Sequence, residues 1–200
     1  MDDAQLWGGT ATLGAIGVSI LCFVAVHLLP TGLNPVRDYV SQYHLTRYRP
    51  WIATSTLAAG VAGIAAIVAL TAMVGEAAVV SDVLLGVFVL ARLVIPFRRM
   101  DPPGTPTTSV GRLHNVLAFA AFGAAVAVGF TAGGALHDAG YPSLATASTI
   151  CGAIGAVGAV GLLVGLLVRR RAAAGLFERV IYLGFFAWFV LLGVTAVTAG

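Results

Sequence analysis

Six apolar runs govern this chain, at about 8–29, 51–74, 78–97, 113–134, 144–168 and 178–198. Each approaches the ~20 mostly apolar residues that a helix needs to cross a bilayer. Backbone groups cannot stay unpaired in hydrocarbon, so a spanning segment is either a helix or a strand of a closed barrel. Barrel strands alternate in polarity from one residue to the next, and these runs do not. The expected fold is all-α: a six-span transmembrane helix bundle in which residues 1–200 form one integral membrane domain. Composition points the same way, with 10% charged residues where soluble domains carry about 25%. The short connections leave no room for a separate soluble domain.

Arginine placement predicts the orientation. All eleven basic residues are Arg. Arg37, Arg47 and Arg49 fall in the first connection, and Arg98, Arg99 and Arg112 in the third, with Arg92 just inside the third span. Arg169, Arg170, Arg171 and Arg179 belong to the fifth. The N-terminus, the even-numbered connections and the C-terminus carry Asp2, Asp3, Glu76, Asp82 and Asp138 instead. The positive-inside rule then puts connections one, three and five in the cytoplasm and both termini outside. Arginines confined to three loops are not the basic face of a nucleic-acid binder, so no nucleic-acid partner is expected. Met1-Asp2-Asp3 lacks the positive n-region of a secretory signal, so the first span reads as a retained helix.

The first connection is the most informative stretch, from His27 through Pro30 to Tyr43. Asn34-Pro35 is a helix start signal, because Asn can cap free N–H groups and Pro suits the first helical position. Val36, Tyr39, Val40 and Tyr43 follow at i, i+3, i+4 and i+7, which makes one apolar and aromatic stripe. Arg37, Asp38, Ser41 and His44 lie off it. The spacing predicts a short helix after the first span, lying in the headgroup region.

Small residues mark where helices approach closely, since lipid gives apolar helices no hydrophobic reason to pair. Gly60 and Gly63 do this in the second span, and Gly152, Gly155, Gly158, Gly161 and Gly165 in the fifth. The fifth span is expected in the bundle interior or at an oligomer contact, so a homo-oligomer is one partner to test. The sixth, with Phe177, Tyr182, Phe185, Phe186, Trp188 and Phe189, reads as lipid-facing. Cys22 and Cys151 fall at different depths and in no CxxC pattern, which suits packing rather than a disulfide or a metal.

Polar residues gather at one membrane level. Arg92 lies one to two turns inside its span; it either snorkels to the interface or marks a functional site. Pro96 should bend or end that helix. Asp101 follows, and Ser109 is positioned to cap the fourth span so that His114 falls on its first turns. By topology His27, Asp38, Ser41, Arg92, Asp101, Arg112, His114 and Glu178 share the cytoplasmic level. Three chemistries could use such a ring. Asp38, Arg92 and Arg112 could bind or transport an anionic ligand or lipid headgroup. His27, His114 and Asp101 could hold zinc for a lipid hydrolase, with Ser41, Asp101 and His114 as catalytic candidates. Two imidazoles on separate helices could ligate haem. No HExxH, Walker loop or Cys/His pair selects among them.

His27 with Asn34-Pro35 and Asp38-Tyr39-Val40-Ser41, Pro96-Phe97 followed by Asp101, and Gly111-Arg112-Leu113-His114 together resemble a bacterial membrane family catalogued as domain of unknown function 998. The resemblance covers nearly the whole chain. It implies a multi-pass protein of the bacterial inner membrane, with His27, Asp38, Ser41, Asp101 and His114 as the marked positions. A remoter likeness is to the membrane hydrolase superfamily that includes alkaline ceramidases, which uses Ser, Asp and three His around zinc. This chain lacks the HxxxH of that group's last spans, so a third His would have to be His44.

Overall fold

The computed structural model describes residues 2–168 and 172–199. Arg169, Arg170 and Arg171, on which the predicted orientation partly leans, lie outside them. The described residues form six α-helices and no strand: α1 Asp3–Leu28, α2 Arg49–Val74, α3 Val79–Val94, α4 Ser109–Asp138, α5 Pro142–Leu167 and α6 Ala174–Thr198. Each apolar run of the sequence is covered by one of them. Five helical runs are long and apolar enough to cross a membrane, because α2 and α3 join through a 3-10 turn at Gly75–Ala78 into one run, Arg49–Phe97. Gly75 has φ +62°, where a side chain is strained, and it turns the chain back there.

The helices pack as antiparallel neighbours in chain order. Gly8 meets Ala69 and Ala65, while Ser19 meets Ser55 on the same α1–α2 seam. Gly60 faces Leu93, and Gly63 faces Val89 on α3. Gly129 and Gly152 bring α4 and α5 so close that a Cβ on Gly129 would stand 2.5 Å from the Gly152 Cα. Hydrogen bonds cross these seams as well. Ser19 Oγ donates to the Ser55 carbonyl at 2.8 Å, and Ser81 and Thr131 pair at 2.8 Å between α3 and α4. Trp188 Nε1 donates to Ser148 Oγ, which donates to the Gly129 carbonyl, so three helices are tied at one point. Small surfaces with one polar tie each are how helices associate without a hydrophobic drive.

Two expectations are corrected. The sixth span is not the lipid-facing one: Tyr182, Phe185, Phe186, Trp188 and Phe189 of α6 are all buried. α6 packs on α1 and α5 and also touches α2 and α4, so its rings fill the centre of the bundle. α5 is the more peripheral helix, its glycines turned toward α4 and α6. The predicted surface helix after α1 is also different. Asn34 Oδ1 does accept from the N–H of Val36 and of Arg37, and Asp38 Oδ2 accepts from Asn34 N at 2.7 Å. That start signal closes one turn only. The chain then extends at Tyr39 and winds into a 3-10 helix, Val40–Leu45, whose Val40, Gln42, Tyr43 and His44 are buried. This segment packs against α2 and α6.

Candidate functional site

The antiparallel order collects the first, third and fifth connections at one end of the bundle. A cavity of about 920 Å³ lies there. Its polar wall comes from Arg37, Asp38, Ser41 and Gln42 of the first connection and from Asp101, Thr105 and Thr107 of the third. His114 and Asn115 of α4 and Glu178 of α6 complete it. Its apolar wall is helical: Ala118, Phe119 and Phe122 from α4, Leu162 and Leu166 from α5. α4 and α5, which glycines press together near Gly129 and Gly152, thus both border open space at this end. Phe119, in the apolar wall, is exposed.

Each polar side chain is placed by an identifiable bond. Asp101 accepts from Thr108 N and Thr108 Oγ1, both at 2.8 Å, and Thr108 Oγ1 accepts from Gly111 N. The cap of α4 is therefore Thr108, one residue before the expected Ser109. A carboxylate at a helix start is also favoured by the helix dipole. Gly111 is small because a Cβ there would overlap the Asp101 carboxylate, which explains the glycine in Gly111-Arg112-Leu113-His114. His114 is buried, and its Nδ1 lies 2.7 Å from the Arg98 carbonyl. A carbonyl can only accept, so Nδ1 carries the proton and Nε2 is the ring's acceptor. Glu178 is buried at the cavity wall, where its Oε2 accepts from Val40 N at 2.7 Å.

Of the residues predicted from the sequence, Asp38, Ser41, Asp101, His114 and Glu178 share this cavity. Arg112 is exposed and does not line it. His27 is spent elsewhere: Nδ1 meets the Phe23 carbonyl at 2.7 Å and Nε2 accepts from Arg179 Nε at 2.8 Å. With both nitrogens engaged, His27 has no lone pair left for zinc or haem iron. Among the described residues no three His, Cys, Asp or Glu side chains converge as a metal-binding group. His27, His114 and Asp101 do not form such a group among the described residues.

Arg92 does not snorkel. It is 2% exposed. Its guanidinium is surrounded by the rings of Phe88, Phe122, Tyr182 and Phe185 at 4.8–5.3 Å. Nη1 donates to Tyr182 Oη at 3.0 Å, while Nε and Nη2 have no partner. His44 is buried close enough to feel its charge. Burial first, and then electrostatic interaction with His114, Arg49 and Arg92, push the His44 pKa down to about 4.

Arg179, which the sequence assigns to the fifth connection, organises this end. Besides His27 it donates to the Asp38 carbonyl at 3.0 Å, the Gly175 carbonyl at 2.9 Å and Tyr43 Oη at 3.2 Å. The adjacent Glu178-Arg179 pair at the start of an apolar run was the available signal. Tyr182, one turn beyond Glu178, was hidden among the aromatic residues of α6.

No curated protein and no solved structure matches the chain. One family model does, over residues 13–195, and its description is a protein of unknown function, DUF998. The match spans α2 to α5 entire, the later part of α1 from residue 13 and nearly all of α6, with every residue that lines the cavity. The chain belongs to the DUF998 family.

Proposed function

We propose that this is a six-span protein of a bacterial inner membrane whose cavity holds the polar head of an amphiphile, with the apolar tail along the α4–α5 seam. The antiparallel pairing of α2 and α3 supports counting Arg49–Phe97 as two crossings. The arginines at the cavity end support a cytoplasmic position for it. One observation carries the binding reading: a single cavity joins a polar wall of loop residues to an apolar wall of Ala118, Phe119, Phe122, Leu162 and Leu166. Pockets that combine an apolar lining with a few converging polar groups are where small ligands bind. Of the predicted ligand-binding residues, Asp38 stands in the wall, Arg92 behind it and Arg112 outside it.

Native mass spectrometry of protein purified in a non-ionic detergent tests the reading. Wild type should retain a short-chain phospholipid at least tenfold better than Ala118→Trp, in which the indole fills the apolar wall. Equal retention by a folded Ala118→Trp protein, or no retention by wild type, would overturn it.

A further inference from the structure

Burying a guanidinium with two N–H-bearing nitrogens unpaired is costly. Aromatic faces offset part of that cost, since cations favour the negative face of a ring. They do not replace hydrogen-bond acceptors. Arg92 is held in this condition by four rings and one tyrosine hydroxyl. Among the described residues no carboxylate forms an ion pair with it. No described residue supplies an acceptor for Arg92 Nε or Nη2.

The direction of approach is set by two side chains. Phe122 stacks on Arg92 and also lines the cavity. Glu178 lines the cavity too, and Arg92 acts on it electrostatically. Arg92 is thus one side chain behind the cavity wall. Beside it stands a carboxylate that keeps its backbone bond to Val40 rather than closing on the guanidinium. The guanidinium behind the wall and the carboxyl group in it are joined by no hydrogen bond or ion pair.

We infer that the inner end of this cavity is a receptor for a zwitterionic group, its oxyanion seated on Arg92 and its ammonium on Glu178, reached when Phe122 turns aside. A plain oxyanion would meet the Glu178 carboxylate, and a plain ammonium would meet Arg92. A group carrying both charges a few bonds apart satisfies both, and that is how charged sites discriminate. Arg suits the oxyanion because its fork presents paired donors to phosphate or carboxylate. The inference rests on the cavity's reading as a binding site and names the ligand's chemical class. The same chemistry is offered by an ethanolamine phospholipid and by soluble phosphoethanolamine.

Native mass spectrometry in non-ionic detergent separates the outcomes. The probes are a short-chain phosphatidylethanolamine, the matching phosphatidic acid, an alkylamine of equal chain length, and free phosphoethanolamine. The ethanolamine lipid should be retained at least tenfold better than either single-charge amphiphile. Arg92→Gln should remove that advantage over the alkylamine, and Glu178→Gln the advantage over phosphatidic acid. Arg112→Ala, an exposed residue outside the cavity, should change neither. Equal retention of all three amphiphiles would overturn the zwitterion assignment and leave the amphiphile reading standing. Binding of phosphoethanolamine alone would keep the assignment and overturn the amphiphile reading. No retention of any probe would overturn both. If Arg92→Gln fails to fold, Arg92→Lys serves: it keeps the charge, loses the fork, and should weaken retention without abolishing it, and unchanged retention would count against Arg92.

Discussion

Arg179 and Arg92 stand on facing elements at the same end of the bundle, and they are built in opposite ways. Arg179 reaches four partners in α1, the first connection and its own helix, through His27, Tyr43 and the carbonyls of Asp38 and Gly175. Arg92 has four rings, one hydrogen bond and two orphaned nitrogens. A charge whose three nitrogens are all bonded within the protein is a joint. In the proposed binding site, a buried charge left short of acceptors is where the ligand seats. The contrast separates residues that hold this end together from residues that give it chemistry.

The comparison can be broken most easily at Arg179. Arg179→Met removes charge-assisted bonds that are each worth roughly 1.5–3 kcal/mol, and it frees His27 and the first connection together. We expect a loss of about 3 kcal/mol or more. For a chain of this size that lowers the apparent Tm by roughly 6–12 °C, read by thermal unfolding in detergent. A shift under about 2 °C on that scale would show that Arg179 is not the joint.

Arg92→Met should do the reverse. Replacing a poorly paired buried charge with an apolar side chain of similar size is often neutral or stabilising. The same thermal assay should find its Tm unchanged or a few degrees higher. A drop as large as that of Arg179→Met would mean that Arg92 is structural and would erase the contrast.

The smallest effect lies in the pH response. His44 has a folded-state pKa of about 4, below the ~6.5 of a free histidine. As pH falls, the unfolded chain takes up this proton first. The neutral imidazole's contribution is therefore complete above about pH 6.5 and is lost progressively toward pH 4, by about 3 kcal/mol at most. Arg92 is one of the charges that oppose protonation of His44, and Arg179 is not among them. Comparing Tm at pH 7 and pH 5, Arg92→Met should show a shallower acid loss than wild type, by about 1 kcal/mol or less. Arg179→Met should keep the wild-type slope. Identical slopes in all three proteins would cut the link between His44 and Arg92.

Much of the architecture was legible because hydrocarbon imposes it residue by residue. Every apolar run became a helix, and Pro96 ended α3. Asn34-Pro35 opened a turn where expected, but a local signal cannot say how far a helix continues. Burial of Val40 and Tyr43 against neighbouring helices ended it after one turn. The glycines of α5 were read correctly as close-approach points, but they bring the helix to its neighbours from the edge rather than from the centre. The aromatic residues of α6 misled, because bulk suits a lipid-facing surface and a packed interior equally well.

By itself, the sequence determined that this protein is helical and suited to lipid, and that its arginines gather at alternate connections. These follow from the local cost of unpaired backbone and of charge in hydrocarbon. Tertiary structure alone decided which polar residues meet. Asp38, Ser41, Asp101, His114 and Glu178 come from four separate stretches of chain, and only lateral packing brings them to one cavity. It also diverted His27 to Arg179, left Arg112 outside and enclosed Arg92 in rings. Depth in a membrane can be read along a chain, but rotation about a helix axis and the choice of neighbour are set by side-chain packing between helices.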